Sequence, residues 1–527
     1  MMIVGAVMST IVIIFVTTTM MRKKKNRPPG PRGLPVVGNL FELKRSKVGI
    51  LIYLQQLSEC YGPLVYLRYG STPTLVVSSA KVAKQILKTQ DLSFCSRPAV
   101  VGQQKLSYGG VDMAFSPYNN HWKEVRKMCM LHLFSPKQVL SFRPIREQQV
   151  GLMMEKIISN INNNNNNDNV INLSAMAMSL ASNIICGVAF GRTYDDGEYQ
   201  KKRLDSLVLE AQALMVSFYF SDHFPRLTWV LDKLSGLLGR LDRNFREMDA
   251  LYQQLIDDHL RSADRHHRDR DDVIDLMINL RRRSPDSVTW DQIKALLMNL
   301  YVAGTDTVAA AVVWTMTALM LRPEIMKKTQ THIREAMKGK QQRRQQQMMM
   351  INEDDIAILP YLKAVVMESL RLYPPAPLLY RRPSITTTVE GYEIEAGSTF
   401  IINAWGIARD PETWENPEEF VPERFMKNEE YDDDIINGYM MEDLWMLPFG
   451  GGRRGCPGMG MGMSSIHLTL ANLLYSFDWA SASNNNNNNN NNIIDTQALP
   501  GLTMHKKNPL LLLPTIHNHL IIPSSPI

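Results

Sequence analysis

A chain of 527 residues with 45% hydrophobic and 21% charged side chains has ample material for a buried core, which excludes disorder throughout. No Pro/Gly/Ser linker divides it into balanced halves, so one large domain plus an anchor fits better than two domains. The 58 Lys and Arg against 52 Asp and Glu leave a net charge of +6, a mild excess that suits an acidic partner or a membrane surface, and no basic stripe interleaved with aromatics supports nucleic-acid binding. The five cysteines (Cys60, Cys95, Cys129, Cys186, Cys456) are odd in number and never form a C-x-x-C pair, so neither a disulfide framework nor a zinc site is indicated and a reducing compartment is expected.

In chain order, Met2 to Met21 is uncharged and mostly apolar, about the twenty residues that a membrane-crossing helix needs. Arg22, Lys23, Lys24, Lys25 and Arg27 follow it, which by the positive-inside rule leaves everything downstream in the cytosol. A cleaved signal peptide fits less well, because the charges follow the apolar run instead of preceding it. Residues 1–21 therefore read as a transmembrane anchor, 22–38 as a basic and proline-rich hinge, 39–520 as the main folded domain and 521–527 as a tail. The prolines of Pro28-Pro29-Gly30-Pro31-Arg32-Gly33-Leu34-Pro35 forbid a helix and hold the hinge extended.

Leu64 to Ser78, rich in β-branched and aromatic residues around Gly70, predicts a hairpin. Helical apolar spacing predicts helices over Asn119 to Phe134, Leu173 to Phe190, Leu204 to Phe220, Leu237 to Arg261, Thr289 to Leu321 and Tyr361 to Leu372. Strand signals return between Thr388 and Ile402 and near the C-terminus, so the fold class is mainly α with a minor β portion. The asparagine runs Asn162 to Asn167 and Asn484 to Asn492, the Gln/Met tract Gln341 to Met350 and the mixed-charge run Arg261 to Asp272 read as solvated loop expansions.

The segment Phe449-Gly450-Gly451-Gly452-Arg453-Arg454-Gly455-Cys456-Pro457-Gly458 precedes an apolar helical stretch to Leu474. A helix N-terminus offers unpaired N–H groups and a favourable dipole to a thiolate, and Cys456 is placed to receive both. Pro457 sits where a missing N–H costs nothing, the glycines permit a tight loop, and Arg454 can reach a carboxylate. Glu368 and Arg371 share one face of a helix between Pro360 and Pro374. Thr289-x-x-Gln292 has the form of a capping box for a long helix whose centre, Ala303-Gly304-Thr305-Asp306-Thr307, breaks helix preference in an apolar setting, as functional sites tend to do. Trp122 and Arg126 are four apart, on one face of an early helix.

These residues resemble the cytochrome P-450 superfamily, whose haem loop has Phe, Gly, Arg, Cys and Gly at the spacings of Phe449, Gly452, Arg454, Cys456 and Gly458. PPGPRGLPVVGNL, LSYGGVDMAFSPY and PGLTMHKKN place the resemblance closest to the plant microsomal group. The resemblance implies a haem-thiolate monooxygenase of the P-450 fold, with haem b as cofactor and Cys456 as the iron ligand. It implies Asp306 and Thr307 as the proton-delivering pair beside Ala303 and Gly304, although Val308 stands where Thr or Ser is usual. It further implies a buried network of Glu368, Arg371 and Arg424 of Pro422-Glu423-Arg424-Phe425, and contacts to haem propionates from Trp122, Arg126 and Arg382, with Arg381 a competitor for the last. A membrane-bound NADPH-dependent reductase would supply electrons, docking at Lys123, Lys127 or Lys137, and the setting would be the endoplasmic reticulum membrane.

By family position, Leu106 to Phe115, Leu209 to Phe220, Thr305, Ala376 to Leu379 and Leu499 to Thr503 would meet the substrate. Their apolar character suits a lipophilic small molecule such as a phenylpropanoid, terpenoid or aldoxime in plant specialised metabolism. Two other readings stay open here: rearrangement or dehydration of an oxygenated substrate, and a non-catalytic haem or electron-transfer protein. Intact Asp306-Thr307 argues against the first, and the lack of an evident distal ligand against the second.

Overall fold

The structure, a computed structural model, describes residues 26–517 except 46–48, 164–168, 195–198, 225–227, 263–270, 285–287, 342–349, 429, 434–439, 441, 483–493 and 500. The expected anchor at 1–21, the first residues of the hinge, the tail and most of the low-complexity runs lie outside the described residues.

Helix α1 (Ile50–Tyr61) leads into the antiparallel strands β1 (Leu64–Tyr69) and β2 (Thr72–Val77), and Gly70 turns the chain between them at φ 61°. Then come α2 (Asn120–His132), α3 (Arg143–Asn163), β3 (Ile171–Asn172), α4 (Leu173–Phe190), α5 (Tyr199–Met215) and α6 (Leu237–Ser262). The central helix α7 (Trp290–Met320) is followed by α8 (Pro323–Gln341), α9 (Pro360–Leu372), β4 (Leu378–Arg381) and β5 (Thr399–Asn403). Helix α10 (Met459–Ser476) then runs into β6 (Phe477–Ser481), and β7 (Ala498–Leu499), β8 (His505–Lys506) and β9 (Leu511–Ile516) close the chain. One sheet has the order β1-β2-β5-β4, with β2 and β5 parallel in the register Val76↔Ile401 and β4 antiparallel to β5 in the register Leu379↔Ile402. A second has the order β6-β9-β3, and β7 pairs with β8.

Most expected elements are present within one or two residues at either end. The exceptions have physical reasons. The helix expected at Leu204 to Phe220 begins at Tyr199 and stops at Met215, because the charged first turn carries no apolar signal. Helices α1, α3 and α8 and a helix at Val273–Arg283 lie outside the expected set: α3 carries Arg, Gln and Gly among its apolar positions and runs into the asparagine tract as far as Asn163, while α8 is dense in lysine and arginine. In α3 the buried set Arg146, Gln149, Val150, Met153, Met154 and Ile157 still repeats at three and four residues, but two of its members are polar.

Thr289 caps α7 in a capping box: its Oγ1 accepts from Gln292 N at 3.1 Å, and Gln292 Oε1 accepts from Thr289 N at 2.6 Å. A helix apolar on all sides has to be enclosed, and α7 is buried along nearly its whole length. Helices α4 and α7 are long and apolar enough to cross a membrane, yet 72% and 83% of their most apolar windows lie inside the protein, which makes them core helices. They pack closely at Gly304, where any Cβ would collide with Ile185 Cδ1 of α4. Gly304 therefore serves this helix crossing, and a side chain there would overpack it.

The charged pair of α9 is wholly buried. Arg371 donates to Glu368 through Nε at 2.7 Å and Nη2 at 2.8 Å, and its remaining donors reach the carbonyls of Ala408, Pro417 and Glu419. Glu368 Oε1 also accepts from Val421 N at 2.8 Å and lies 3.4 Å from Arg424 Nε. The cluster ties α9 to the segment 408–424, with Glu368 as the counter-charge of Arg371 and a looser contact to Arg424. Truncating Glu368 to alanine strands Arg371 in the interior, so E368A should lose about 3 to 5 kcal/mol of stability; thermal unfolding beside a surface control such as Glu430→Ala measures it.

Candidate functional site

Residues 449–458 form a loop that doubles back on itself. Cys456 N donates to the Phe449 carbonyl at 2.8 Å and Gly455 N to the Gly452 carbonyl at 3.0 Å. Gly450 and Gly452 take φ 70° and 65°, the left-handed region, and a Cβ on Gly452 would strike Asp91 and the Leu87 carbonyl. Helix α10 starts only at Met459 with Gly458 as its cap, so Pro457 lies just outside the helix instead of in its first turn. Residue Cys456 is exposed, yet burial raises the pKa of its thiol, while the Gly458 N–H and Arg126 pull it down. Both facts hold for a sulfur that opens onto a space inside the protein.

Four guanidinium groups gather around this loop. Arg126 donates to the Gly455 carbonyl at 2.8 Å. Arg454, stacked 4.1 Å over the Trp122 ring, donates to the carbonyls of Cys95 (2.7 Å), Met113 (3.3 Å) and Ser116 (2.6 Å). Arg381 reaches the Gly451 carbonyl at 3.2 Å and Arg97 the Ala114 carbonyl at 3.2 Å, and both donate to the Tyr380 carbonyl. Among the described residues none of the four makes an ion pair with a carboxylate. Burial lowers every one of their pKa values: Arg97 to about 10, Arg454 to about 9, Arg126 and Arg381 downward too. Arg381 is fully buried and its Nε has no hydrogen-bond partner. Cations without a carboxylate partner, two of them (Arg381 and Arg454) buried and one with an orphaned donor, fit an anionic group with several acceptor oxygens.

The third component is the break in α7. Ala303, Gly304 and Thr307 are the only residues of its middle turns that are not buried, and Ala303 and Thr307 share a face one turn apart. Thr307 Oγ1 donates to the Ala303 carbonyl at 2.7 Å, while Asp306 is buried and accepts 2.6 Å from His505 Nε2 of β8. One turn before Ala303, Asn299 Oδ1 accepts from the N–H groups of Met113 and Ala114, each at 3.2 Å, and its Nδ2 donates to Asp112 at 2.8 Å. The 112–116 segment thus links α7 to the arginine cluster.

The fold brings Trp122, Arg126, Arg454, Phe449, Gly452, Cys456 and Gly458 together, but not always as expected. Trp122 Nε1 donates to the Met113 carbonyl at 2.9 Å, so it props the 112–116 segment and is not free for an anion. Arg454 meets carbonyls, not a carboxylate. Of the two candidates, Arg381 at the end of β4 points into the cluster, whereas Arg382, just past the strand, lies over Gly397 and pairs its N–H with the Ser96 carbonyl. Alternation along the strand decides this, with Tyr380 facing one way and Arg381 the other. Arg97 and His505 went unrecognised in the sequence; both meet partners far away in the chain, and no local spacing marks them.

A family profile described as Cytochrome P450 matches residues 28–513. A 6,7,8-trihydroxycoumarin synthase of Pastinaca sativa is 42% identical over 92% of this chain and 92% of its own length. A xanthotoxol synthase of the same plant is 42% identical over 93% of this chain and 94% of its own, and a strychnine-11-hydroxylase of Strychnos nux-vomica 39% identical over 92% and 90%. Among solved structures, a zebra fish cytochrome P450 with progesterone shares the fold at TM-score 0.72 and 22% identity, covering 88% of this chain and 99% of that one. With Cys456 as an iron ligand, the reduced protein under carbon monoxide should show the red-shifted absorption band of a thiolate complex; Cys456→Ala should abolish it, whereas Cys60→Ala, at an exposed free thiol, should leave it intact.

Proposed function

The chain belongs to the cytochrome P450 family, a haem-thiolate monooxygenase of plant specialised metabolism, and from that premise we propose how its own residues divide the work. The observation that carries the proposal is an exposed cysteine on a glycine-built loop beside four guanidiniums, Arg381 and Arg454 buried and Arg97 and Arg126 half-buried, that pair with no carboxylate among the described residues. Cys456 is the iron ligand, and the anion that the arginines await is the propionate pair of haem b, held by Arg97, Arg126, Arg381 and Arg454. Bound there, the haem with dioxygen and two electrons supplies the insertion of one oxygen atom into the substrate, the other leaving as water.

Thr307 offers its hydroxyl at that face, where it can accept a hydrogen bond while donating to Ala303. Asp306 passes protons toward Thr307, a positioned acid beside a buried space. The substrate is a lipophilic phenolic of coumarin type, in keeping with the names of the two Pastinaca sativa relatives, entering against Leu106 to Phe115, Leu209 to Phe220 and Ala376 to Leu379. Incubating the enzyme with reductase, NADPH and a panel of coumarins, furanocoumarins, terpenoids and alkaloids tests this; a coumarin product one oxygen heavier supports it, and turnover confined to terpenoids or alkaloids refutes it.

Residues 1–21 anchor the chain in the endoplasmic reticulum membrane with the catalytic domain, 39–520, in the cytosol, and an NADPH-dependent reductase delivers the electrons. Lys123, Lys127 and Lys137 are exposed on the side of the Cys456 loop, where Phe134 lies against Gly458. Thr307→Ala and Asp306→Asn should keep the carbon monoxide band but lower product formed per NADPH consumed by about tenfold or more, the rest appearing as hydrogen peroxide. Reversing two lysines together (Lys127→Glu, Lys137→Glu) should raise the KM for reductase several-fold at low salt and much less at high salt, since exposed charges steer association and are screened.

A further inference from the structure

Asp306 is the only ionisable side chain between Ala303 and Thr307, and it stands about 100° round the helix from Thr307. Its carboxylate is committed elsewhere: Oδ1 accepts 2.6 Å from His505 Nε2, and among the described residues its side chain accepts no other hydrogen bond. His505 is not a chance neighbour. Met504, beside it, accepts 2.7 Å from Trp314 Nε1 of α7 and donates 2.9 Å to the Pro375 carbonyl, and Trp314 stacks at 4.7 Å on Tyr373. Two backbone bonds and the β7–β8 pairing Leu499↔His505 thus fix the imidazole against α7. The side chain of Asp306 is 5% exposed and that of His505 30%, so the histidine is the member of the pair that reaches the outside.

We propose that His505 is the positioning residue of Asp306: it holds the carboxylate toward β8 and off the open face of Ala303 and Thr307, so that the acid serves that face only when this bond is exchanged. A charge-assisted bond of this length gives one preferred side-chain orientation, and removing the donor releases it. The functional weight of the inference rests on Asp306 being the proton-delivering acid. The geometry of the latch does not.

The infrared C–O stretching band of the reduced, haem-loaded, full-length protein under carbon monoxide reports charge next to the bound gas and requires no identified substrate. His505→Phe and His505→Ala should both shift that band, two variants being used so that a folding defect in either is not decisive; the thiolate-type visible band certifies each protein. His505→Gln, whose Nε2 stands where the imidazole Nε2 stood, should keep the wild-type band. In an Asp306→Asn background, His505→Phe should produce no further shift. Wild-type bands in both His505→Phe and His505→Ala overturn the inference, and so does a His505→Phe shift that persists without Asp306. Unchanged product per NADPH in Asp306→Asn would instead sink the proton-delivery reading and leave the infrared result standing.

Discussion

Positive charge buried beside the Cys456 loop has to be compensated, and much of the surrounding architecture follows from that requirement. Isolated cations in a protein interior are costly, and backbone carbonyls only partly replace the water they lose. Arg97, Arg126, Arg381 and Arg454 are solvated by the carbonyls of Cys95, Met113, Ala114, Ser116, Tyr380, Gly451 and Gly455. Those carbonyls face inward only because other groups hold their segments in place: Asn299 takes the N–H groups of Met113 and Ala114, and Trp122 pins Met113. Left-handed glycines turn the Cys456 loop back on itself. What remains is an incompletely satisfied cluster, with Arg381 Nε lacking a partner, and a bound anion is the natural completion.

The α9 cluster shows what a self-sufficient arrangement looks like. Glu368 faces Arg371 in a two-bond fork, Arg424 adds a looser contact, and the donors of Arg371 all find acceptors. Both clusters are arginine-rich and buried. One contains its own counter-charge and so holds the fold; the other does not and so can hold a ligand.

This contrast also explains what could be read from the sequence. Helices α2, α4, α6, α7 and α9, the β1–β2 hairpin and the Cys456 loop are local structures, set by apolar spacing, caps and glycines within a few residues of each other, and they were legible. Arg371 could be paired with Glu368 because three residues on a helix means one face. The arginine cluster joins residues near 97, 126, 381 and 454, and nothing local brings them together. Choosing Arg381 over Arg382 requires the inward phase of a four-residue strand, which its neighbours in the sheet determine. The helix starting at Tyr199 was misplaced for the opposite reason: its first turn is polar, and tertiary contacts extend it beyond the apolar signal.

The middle of α7 combines both kinds of information. Gly304 and Asp306 stand out in the sequence because each opposes helix formation in an apolar setting, but the structure assigns them different causes. Gly304 gives way to Ile185 of α4, a packing demand. Asp306 is a buried acid whose partner lies 199 residues away on β8. Two rule-breaking residues two positions apart thus arise from separate constraints, and Ala303 and Thr307, which break fewer rules, open beside Gly304 while Asp306 stays buried. A violated preference locates the neighbourhood of a site; exposure and hydrogen bonding decide which residue there faces it.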